Sequence, residues 1–163
     1  MSSQVLSPQA QERAPAGGET PDAWLRFLRA HAAVTRQLSA RLEAAHGLTL
    51  SDLDVLMQLV HADGHRLRRV DLARQVLLTA SGITRLLDGL ERAGWVAKER
   101  CQSDQRVTYA VLTDEGLRKI EAARRSHQAD IEELFGAKFD ERELATLDEL
   151  LSRLPLAETS CQS

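Results

Sequence analysis

Apolar side chains change their spacing along this 163-residue chain, and that change restricts the fold more than any other feature. Up to Gly94 they recur every three or four residues, which is the period of an α-helix. Val107, Tyr109 and Val111 instead alternate with polar residues, which is the period of a β-strand. The helical period returns after Thr113. The sequence therefore predicts a mainly α-helical chain with a small β-sheet of two to three strands.

Capping residues and glycines divide the helical part that precedes the strands. The first predicted helix carries an apolar stripe from Trp24 to Leu42 and ends at Gly47. Ser51 and Asp54 have the spacing of a capping box, in which two side chains satisfy free backbone amides at the start of a helix. We therefore expect a second helix to begin at Ser51.

Two short helices are predicted in the middle of the chain. The first runs from Val70 to about Leu77, and the second is capped by Thr79 or Ser81 and ends at Gly94. They are joined by about three residues, which is typical of a helix-turn-helix. In that motif the second helix enters the major groove of DNA.

A polar hairpin follows the two short helices. Residues 95–97 and the alternating residues 107–111 are predicted to be its strands, and residues 98–106 its loop. We interpret this hairpin as a wing. The sequence thus places a winged helix-turn-helix DNA-binding domain at residues 49–112.

Long apolar stripes lie on both sides of this domain. Thr113 is expected to cap a long helix, and Asp140 with Glu143 to cap a last helix that Pro155 ends. These stripes exceed what a small DNA-binding domain needs. We expect residues 21–48 and 113–155 to form a helical dimerisation region across a twofold axis. The alternative is an intrachain bundle in a monomer.

The two ends of the chain differ from the rest in composition. Residues 1–20 contain Pro8, Pro15, Gly17 and Gly18 and are expected to be a disordered tail, and residues 156–163 a second tail. The N-terminal segment lacks the basic start and apolar run of a signal peptide. No stretch of roughly 18 apolar residues is present that could span a membrane. We expect a cytoplasmic protein without membrane contact.

Charge is unevenly distributed, although the whole chain carries a net charge of only −3. Residues 64–108 contain eight arginines and one lysine against five acids, whereas residues 130–163 contain nine acids against three bases. A basic middle can face DNA phosphates while the acidic end cannot. Ordinary solvated helix faces are the alternative explanation.

Nothing in the sequence indicates an enzyme or a bound cofactor. It contains no glycine-rich phosphate loop and no nucleophile with a matching base. Cys101 and Cys161 are too far apart to suggest a disulfide framework or a metal site. Among the five histidines only His61 and His65 have a paired spacing, and they flank a turn. We expect no cofactor and no metal.

From about residue 22 to residue 155 the order of elements resembles that of the MarR family of transcription regulators. The strings HGLTLSDLDVLMQL and VDLARQVLLTASGITRLLDGLERAGWVAKER are similar to the family's second helix and to its DNA-reading helices with the first wing strand. SDQRVTYAVLTDEG is similar to its wing tip and the start of the next helix. The resemblance implies a repressor or activator that responds to a small molecule or an oxidant and binds palindromic operators as a homodimer, with a repressor released by an effector as the favoured form.

The outward side of the second short helix is the predicted DNA-reading surface. Arg85 can bond both acceptors of a guanine edge, and small or hydroxyl residues before it let the helix enter the groove deeply. Alternatively, Arg85 contacts phosphate or pairs with Asp88. Arg74, together with Arg66, Arg68 and Arg69, is expected to contact phosphates.

The wing carries the other expected DNA contacts. Arg106 is predicted to enter the minor groove, which attracts arginine where it is narrow. Asp104 is expected to shape the loop by pairing with Arg106 or Arg100. The complete predicted DNA-binding set is Arg74, Thr79, Ser81, Gly82, Thr84, Arg85, Arg100, Asp104 and Arg106.

The family resemblance also implies an effector pocket between the dimerisation helices and the DNA-binding domain. Its candidate lining residues are Trp24, Phe27, His31, Asp54 and Met57, with Arg100, and they suit an aromatic or anionic effector. Trp24 on a helix face is more often a core residue than part of a ligand site, and Asp54 is better explained as the capping acid. Cys101, beside basic residues, suggests either an oxidation switch or an ordinary surface cysteine. A helical dimer that binds proteins through a winged-helix scaffold, without DNA, is the alternative function.

Overall fold

The structure, a computed structural model, describes residues 19–76, 80–101 and 106–155. Within these ranges it contains six α-helices and three strands. The helices are α1 (Glu19–His46), α2 (Leu50–His61), α3 (Arg69–Gln75), α4 (Ala80–Arg92), α5 (Asp114–Leu134) and α6 (Glu141–Leu151). The strands are β1 (Arg66–Arg68), β2 (Val96–Arg100) and β3 (Thr108–Leu112), which pair in the antiparallel order β1-β3-β2. The predicted fold, mainly helical with a small β-sheet, is confirmed.

Helix α1 belongs to two structural units. Its residues up to Ala33 are the described part of the first unit, and the second unit begins at Val34 and contains all other elements. As predicted, α1 ends before Gly47, whose φ of 61° lies in the left-handed region that glycine adopts without strain.

The start of α2 differs from the prediction. Thr49, not Ser51, is the capping residue: its Oγ1 accepts a 3.1 Å hydrogen bond from the amide of Asp52, whose Oδ2 accepts one of 2.9 Å from the amide of Thr49. The assignment of Asp54 as the capping acid was therefore wrong. The preceding Leu48 is fully buried in the core, which fixes the chain one residue before Thr49.

The two short helices have bounds close to those expected. Helix α3 starts at Arg69 and ends at Gln75, so it is shorter than predicted. Helix α4 already includes Ala80, so Ser81 lies inside the helix and is not its cap. Thr79, the other candidate cap, lies outside the described residues.

The sheet is larger than the predicted hairpin. Strand β2 continues to Arg100, so part of the segment predicted as loop is a strand in register with β3, with Lys98 opposite Ala110 and Glu99 opposite Tyr109. The third strand, β1, pairs Leu67 with Ala110. The wing therefore contains a longer first strand and one more paired strand than the apolar pattern predicted.

The hydrophobic core lies in the second unit and consists mainly of leucine. Its fully or almost fully buried members come from α1, α2, α3, α4, the sheet and α5; the largest are Leu42, Leu48, Leu56, Leu59, Leu72, Leu87, Leu90 and Ile120. Each has an exposed fraction below 3%. This common core holds the paired short helices against the sheet and α5.

The start of α5 is fixed to the end of α4. Thr113 caps α5 as predicted, with its hydroxyl accepting a 3.0 Å hydrogen bond from the amide of Gly116. Its backbone amide also donates to the carbonyl of Trp95 at 3.1 Å. Gly116 packs so closely on that carbonyl that a β-carbon would overlap the oxygen.

Helix α6 begins as predicted and leaves its apolar side chains uncovered. Asp140 and Glu143 form the expected capping box, and the helix ends at Leu151. No residue of α6 is buried, and Leu150 is 50% exposed. Within the described ranges, no helix combines the length and the apolar composition that crossing a bilayer requires.

Candidate nucleic-acid interface

Helix α4 presents one polar and one apolar side. Ile83, Leu87 and Leu90 are buried, which fixes the helix with the opposite side outward. Arg85 is exposed on that outward side, and Gly82 lies one turn before it. The predicted orientation of this helix is confirmed, whereas the DNA contacts of its residues stay predictions.

The hydroxyl of Thr84 is used within the protein. Arg69, the first residue of α3, donates a 2.9 Å hydrogen bond from its Nη2 to Thr84 Oγ1. Arg69 was predicted to contact phosphate, but here its guanidinium joins the start of α3 to α4. This contact sets the distance between the two helices.

Asp88 does not pair with Arg85, as one alternative held. Its Oδ1 lies 2.7 Å from Nζ of Lys98 on β2, and Oε2 of Glu91 lies 2.6 Å from the same ammonium. The sequence analysis did not predict this contact of Lys98 with two acids of α4. The available signal was that Asp88 and Glu91, three residues apart, are neighbours on a helix expected to approach phosphate, where like charges are unfavourable unless a cation lies nearby.

One face of the sheet carries a second polar cluster. The guanidinium of Arg66 lies 4.3 Å above the ring of Tyr109 and 3.5 Å from a carboxylate oxygen of Glu99. Arg68 forms a hydrogen bond with Tyr109, which raises the pKa of this guanidinium. Both arginines were predicted to contact phosphate, and both already have partners on the sheet.

Two exposed arginines lie on the described part of the wing. Arg100 is the last residue of β2, and Arg106 follows the loop. The amide of Cys101 donates a 3.0 Å hydrogen bond to the carbonyl of Val107, which closes the base of the loop. Asp104 lies outside the described residues, so its predicted role has no structural counterpart here.

Two of the arginines predicted to contact phosphate form ion pairs, Arg66 and Arg74. Arg74, on α3, is the more exposed of the two. Its side chain is 82% exposed, and Nη1 lies 3.9 Å from Asp71. Ser81 is part of α4, but its side chain is not among those described. Of the predicted DNA-binding residues, those described and exposed are therefore Arg85 on α4, Arg100 and Arg106 on the wing, and Arg74 on α3.

The predicted effector residues fall in both units. In the first, Trp24, Phe27 and His31 form a row along α1, with ring centroids 6.1 and 6.4 Å apart. Trp24 is 59% exposed, so it is not a core residue of this chain. In the second, Asp54 is exposed and Met57 is half-buried.

Met57 lines a narrow cleft between α2 and α5. The cleft has a volume of about 90 Å³, and its other lining residues are Val60, Ile120, Glu121 and Arg124. Its floor is apolar, and an arginine and a glutamate lie at its rim. Among the residues described, no cluster of histidine, cysteine and acidic side chains could hold a metal ion.

Polar contacts join the C-terminal half of α1 to α5. Arg41 bonds Asp130 and both carboxylate oxygens of Glu133, each at 2.8 Å. Nearby, His46 Nε2 lies 2.6 Å from Ser126 Oγ, and Ser126 donates to the carbonyl of Ala123. These contacts fix the C-terminal half of α1 against α5.

The junction of α5 and α6 is apolar and open. Phe135 and Phe139 have ring centroids 5.3 Å apart, and both are more than one third exposed. A groove of about 380 Å³ continues along α6 past Leu147 and Leu150. The exposed apolar side chains at this junction are therefore contiguous, and a contiguous apolar patch is typical of an interaction surface.

Comparison with known sequences relates the chain to bacterial transcription regulators. A model of the MarR family matches residues 48–108. The HTH-type transcriptional regulator YdgJ of Bacillus subtilis is 31% identical over 121 residues, which are 74% of this chain and 72% of that protein. The HTH-type transcriptional repressor YetL of the same organism is 33% identical over 114 residues, 68% of each chain.

Solved structures give the same result. AbsC, a MarR family transcriptional regulator from Streptomyces coelicolor, superposes with a TM-score of 0.75 at 30% identity, over 82% of this chain and 90% of AbsC. Sco3205, a regulator of that family and organism solved in complex with DNA, gives a TM-score of 0.78 at 24% identity, over 88% and 89% of the two chains. The latter likeness shows the fold alone.

Proposed function

This chain belongs to the MarR family of DNA-binding transcription regulators, and we propose that it is a homodimeric repressor that binds a palindromic operator and is released by a small-molecule effector. Such a protein works on chromosomal DNA in the cytoplasm. It has no catalytic role, in keeping with the family.

The observation that carries the proposal is the exposed Arg85 on the outward side of α4. The buried leucines behind it and the Arg69–Thr84 bond hold this helix in a fixed orientation. A helix held in this way can enter the major groove, where an arginine fork discriminates guanine by roughly 1–3 kcal/mol. Arg100 and Arg106 on the wing then suit the adjacent backbone or minor groove.

Repression is favoured by a relative. YetL, which is 33% identical to this chain, is a transcriptional repressor. Sco3205, which has the same fold, was solved in complex with DNA. A repressor requires only that the bound protein block transcription, whereas an activator requires a surface that contacts polymerase.

The homodimer is supported by two exposed apolar surfaces. One is on α1, with Trp24, Phe27 and Leu28 each at least 40% exposed, and the other is on α6, around Leu150 and Leu154. Exposing these surfaces to water is unfavourable at roughly 25 cal/mol per Å² of apolar area. A second copy of the chain would bury them and pair two reading helices for a palindrome.

Release by an effector is supported by the cleft between α2 and α5. Its volume of about 90 Å³ is smaller than the cavity of roughly 150 Å³ that accommodates a benzene ring. A ring-sized effector would therefore have to push α2 away from α5. Arg124 at the rim would pair with a carboxylate, which favours an aromatic or aliphatic acid as the effector.

The test is selection of binding sites from a random duplex library with the purified full-length protein. We expect a palindromic site to be enriched, and its affinity to fall steeply as salt rises. Arg85→Ala with Arg106→Ala should lose the selectivity, whereas the control Arg153→Ala, at the end of α6, should keep it.

Two results would contradict the proposal. A library that is not enriched for any sequence would favour the alternative of a winged-helix scaffold that binds proteins. A selected site that is bound by a monomer, as measured by analytical ultracentrifugation of the complex, would contradict the dimeric mechanism.

A further inference from the structure

Lys98 lies between two acidic residues of the DNA-reading helix. Its ammonium is 2.7 Å from Asp88 and 2.6 Å from Glu91, and its side chain is 34% exposed. The two acids are three residues apart on α4 and therefore share one side of the helix. A single cation on the neighbouring strand thus bridges both carboxylates.

The fold determines where this lysine points. Lys98 is opposite the buried Ala110 in the sheet. Its side chain is therefore on the same face of the sheet as Ala110, the face that packs on the core and α4. Its neighbour Glu99 is opposite Tyr109 on the other face, with Arg66. A shift of β2 by one residue would exchange the two faces and place an acid, not a cation, against α4.

The position of Asp88 makes its charge important for DNA binding. It lies three residues after Arg85 and four before Arg92, so all three occupy the outward side of α4. A carboxylate there would face the phosphates and repel them. The Lys98 ammonium compensates this charge within the protein before DNA is bound.

Both partners stay ionised at neutral pH. The pKa of Asp88 lies below its ordinary value because Lys98 donates a hydrogen bond to its carboxylate. The pKa of Lys98 lies above its ordinary value because Asp88 and Glu91 accept hydrogen bonds from its ammonium. The contact is therefore a charge pair and not a neutral hydrogen bond.

We propose that Lys98 is a positioning residue of the DNA interface: it neutralises the acidic side of α4 and holds the first wing strand against that helix, so that α4 and the wing meet DNA together. The inference rests on the proposed DNA-binding function. It adds that Lys98 neutralises the two acids of α4, so that they do not repel the DNA phosphates. Lys98 itself acts through Asp88 and Glu91 rather than by contacting DNA.

The experiment measures affinity for the selected operator over a range of salt concentrations. Lys98→Met keeps the aliphatic part of the side chain and removes the ammonium that bridges the carboxylates of Asp88 and Glu91. We expect a loss of roughly tenfold at low salt that shrinks as salt rises, because screening weakens repulsion from phosphates. The control Lys138→Met removes the same charge from the turn before α6 and should change affinity little.

A rescue variant separates charge from damage to the fold. Adding Asp88→Asn and Glu91→Gln to Lys98→Met removes the repulsion, so the triple variant should regain most of the lost affinity at low salt. A lysine that only stabilised the fold would not be rescued in this way. Lys98→Arg, which keeps the cation, should also retain most of the affinity, and circular dichroism checks that every variant is folded.

The outcomes are distinct. If the wild-type protein selects an operator but Lys98→Met binds it equally well at every salt concentration, the inference is wrong and the proposed function stands. If the triple variant is folded and remains as weak as Lys98→Met, neutralisation of the acids is also excluded. If the wild type selects no sequence, the proposed function fails first and the inference fails with it.

Discussion

The hydroxyl of Thr113 donates a 2.7 Å hydrogen bond to the carbonyl of Gly94 while it accepts one of 3.0 Å from the amide of Gly116. Gly94, with a φ of 77°, is the turn residue after α4, and Gly116 is in the first turn of α5. One side chain therefore satisfies backbone groups of two elements. It joins the turn after α4 to the first turn of α5.

Replacing Thr113 with valine should destabilise the protein. Valine has a similar shape but can neither cap α5 nor bond Gly94, and loss of a helix cap alone costs about 1 kcal/mol. Urea denaturation should show a lower midpoint. Thr146→Val is the matched control, because the hydroxyl of Thr146 bonds only its own helix, at Arg142. Equal urea midpoints for the two variants would show that the two hydrogen bonds of the Thr113 hydroxyl do not contribute to the stability of the protein.

Two glycines should respond in opposite ways to alanine. A β-carbon at Gly116 would overlap the carbonyl oxygen of Trp95 and approach Leu112, so Gly116→Ala must move α5 away from the sheet. At Gly89, in α4, nothing lies within 4 Å of the new carbon, and alanine favours helix by about 1 kcal/mol. Thermal unfolding should show a lower Tm for the first variant and a higher Tm for the second. A Gly116→Ala protein as stable as wild type would contradict the close approach.

The contact of Arg41 with Glu133 should make stability depend on acidic pH. Hydrogen bonds from Arg41 lower the pKa of the Glu133 carboxyl in the folded protein. A lowered pKa contributes stability above the ordinary pKa of glutamate, and this contribution is lost as pH falls through the folded-state value. Arg41→Met should therefore be less stable than wild type at pH 7, and the difference should narrow below about pH 4.

Urea midpoints measured from pH 3 to pH 7 test this expectation. Arg36→Met, at an exposed position on the same helix, is the control and should show a smaller difference at pH 7. A gap between wild type and Arg41→Met that is independent of pH would mean that packing of the arginine stem, not its charge, is what matters.

His127 should add a second pH dependence with its own range. Burial lowers the pKa of this imidazole, and Nδ1 has no hydrogen-bond partner among the residues that the structure describes. The unfolded chain then binds a proton at a higher pH than the folded one, so stability decreases as pH falls below about 6.5. His127→Phe should reduce this loss between pH 7 and pH 5, whereas His61→Gln, at an exposed position, should not. The same slope for His127→Phe and wild type would exclude this histidine as its source.

A charge on the exposed apolar side of α6 should prevent dimerisation. Leu150 lines the groove beside Leu147 and is half-exposed in the single chain. Leu150→Lys would place an ammonium in the proposed interface, where its desolvation is unfavourable. Sedimentation velocity should show a monomer. Ala145→Lys, on another side of the same helix, is the control, and a dimer in both variants would place the interface elsewhere.

Local chemistry explains which parts of the fold could be predicted. Thr113, Asp140 and Gly94 were assigned correctly because a cap or a left-handed turn depends on residues within one helical turn. The start of α2 was assigned wrongly because two hydroxyl residues, Thr49 and Ser51, each precede an acid by three positions. Only the burial of neighbouring leucines decides between them, and burial is a tertiary property.

The contacts of the charged residues could not be predicted in the same way. Arg66 and Arg69 were expected to contact phosphate from their charge and position, yet their partners are Tyr109 and Thr84. Both partners are distant in sequence and come close only when the sheet and the short helices assemble. Strand β1 escaped prediction for a related reason, since three residues are too few to show a period.

The junction at Gly94, Thr113 and Gly116 has a consequence for operator architecture. Helix α5 has 21 residues and is therefore about 30 Å long. With such an arm, a tilt of about 10° at its base displaces the far end by about 5 Å, which exceeds the rise of roughly 3.4 Å between base pairs. In the homodimer proposed above, the angle at which α5 leaves the domain would therefore set the spacing of the two half-sites. On this proposal, α4 would select the bases of each half-site and the angle of α5 would set the gap between the half-sites, so a substitution could alter one without the other.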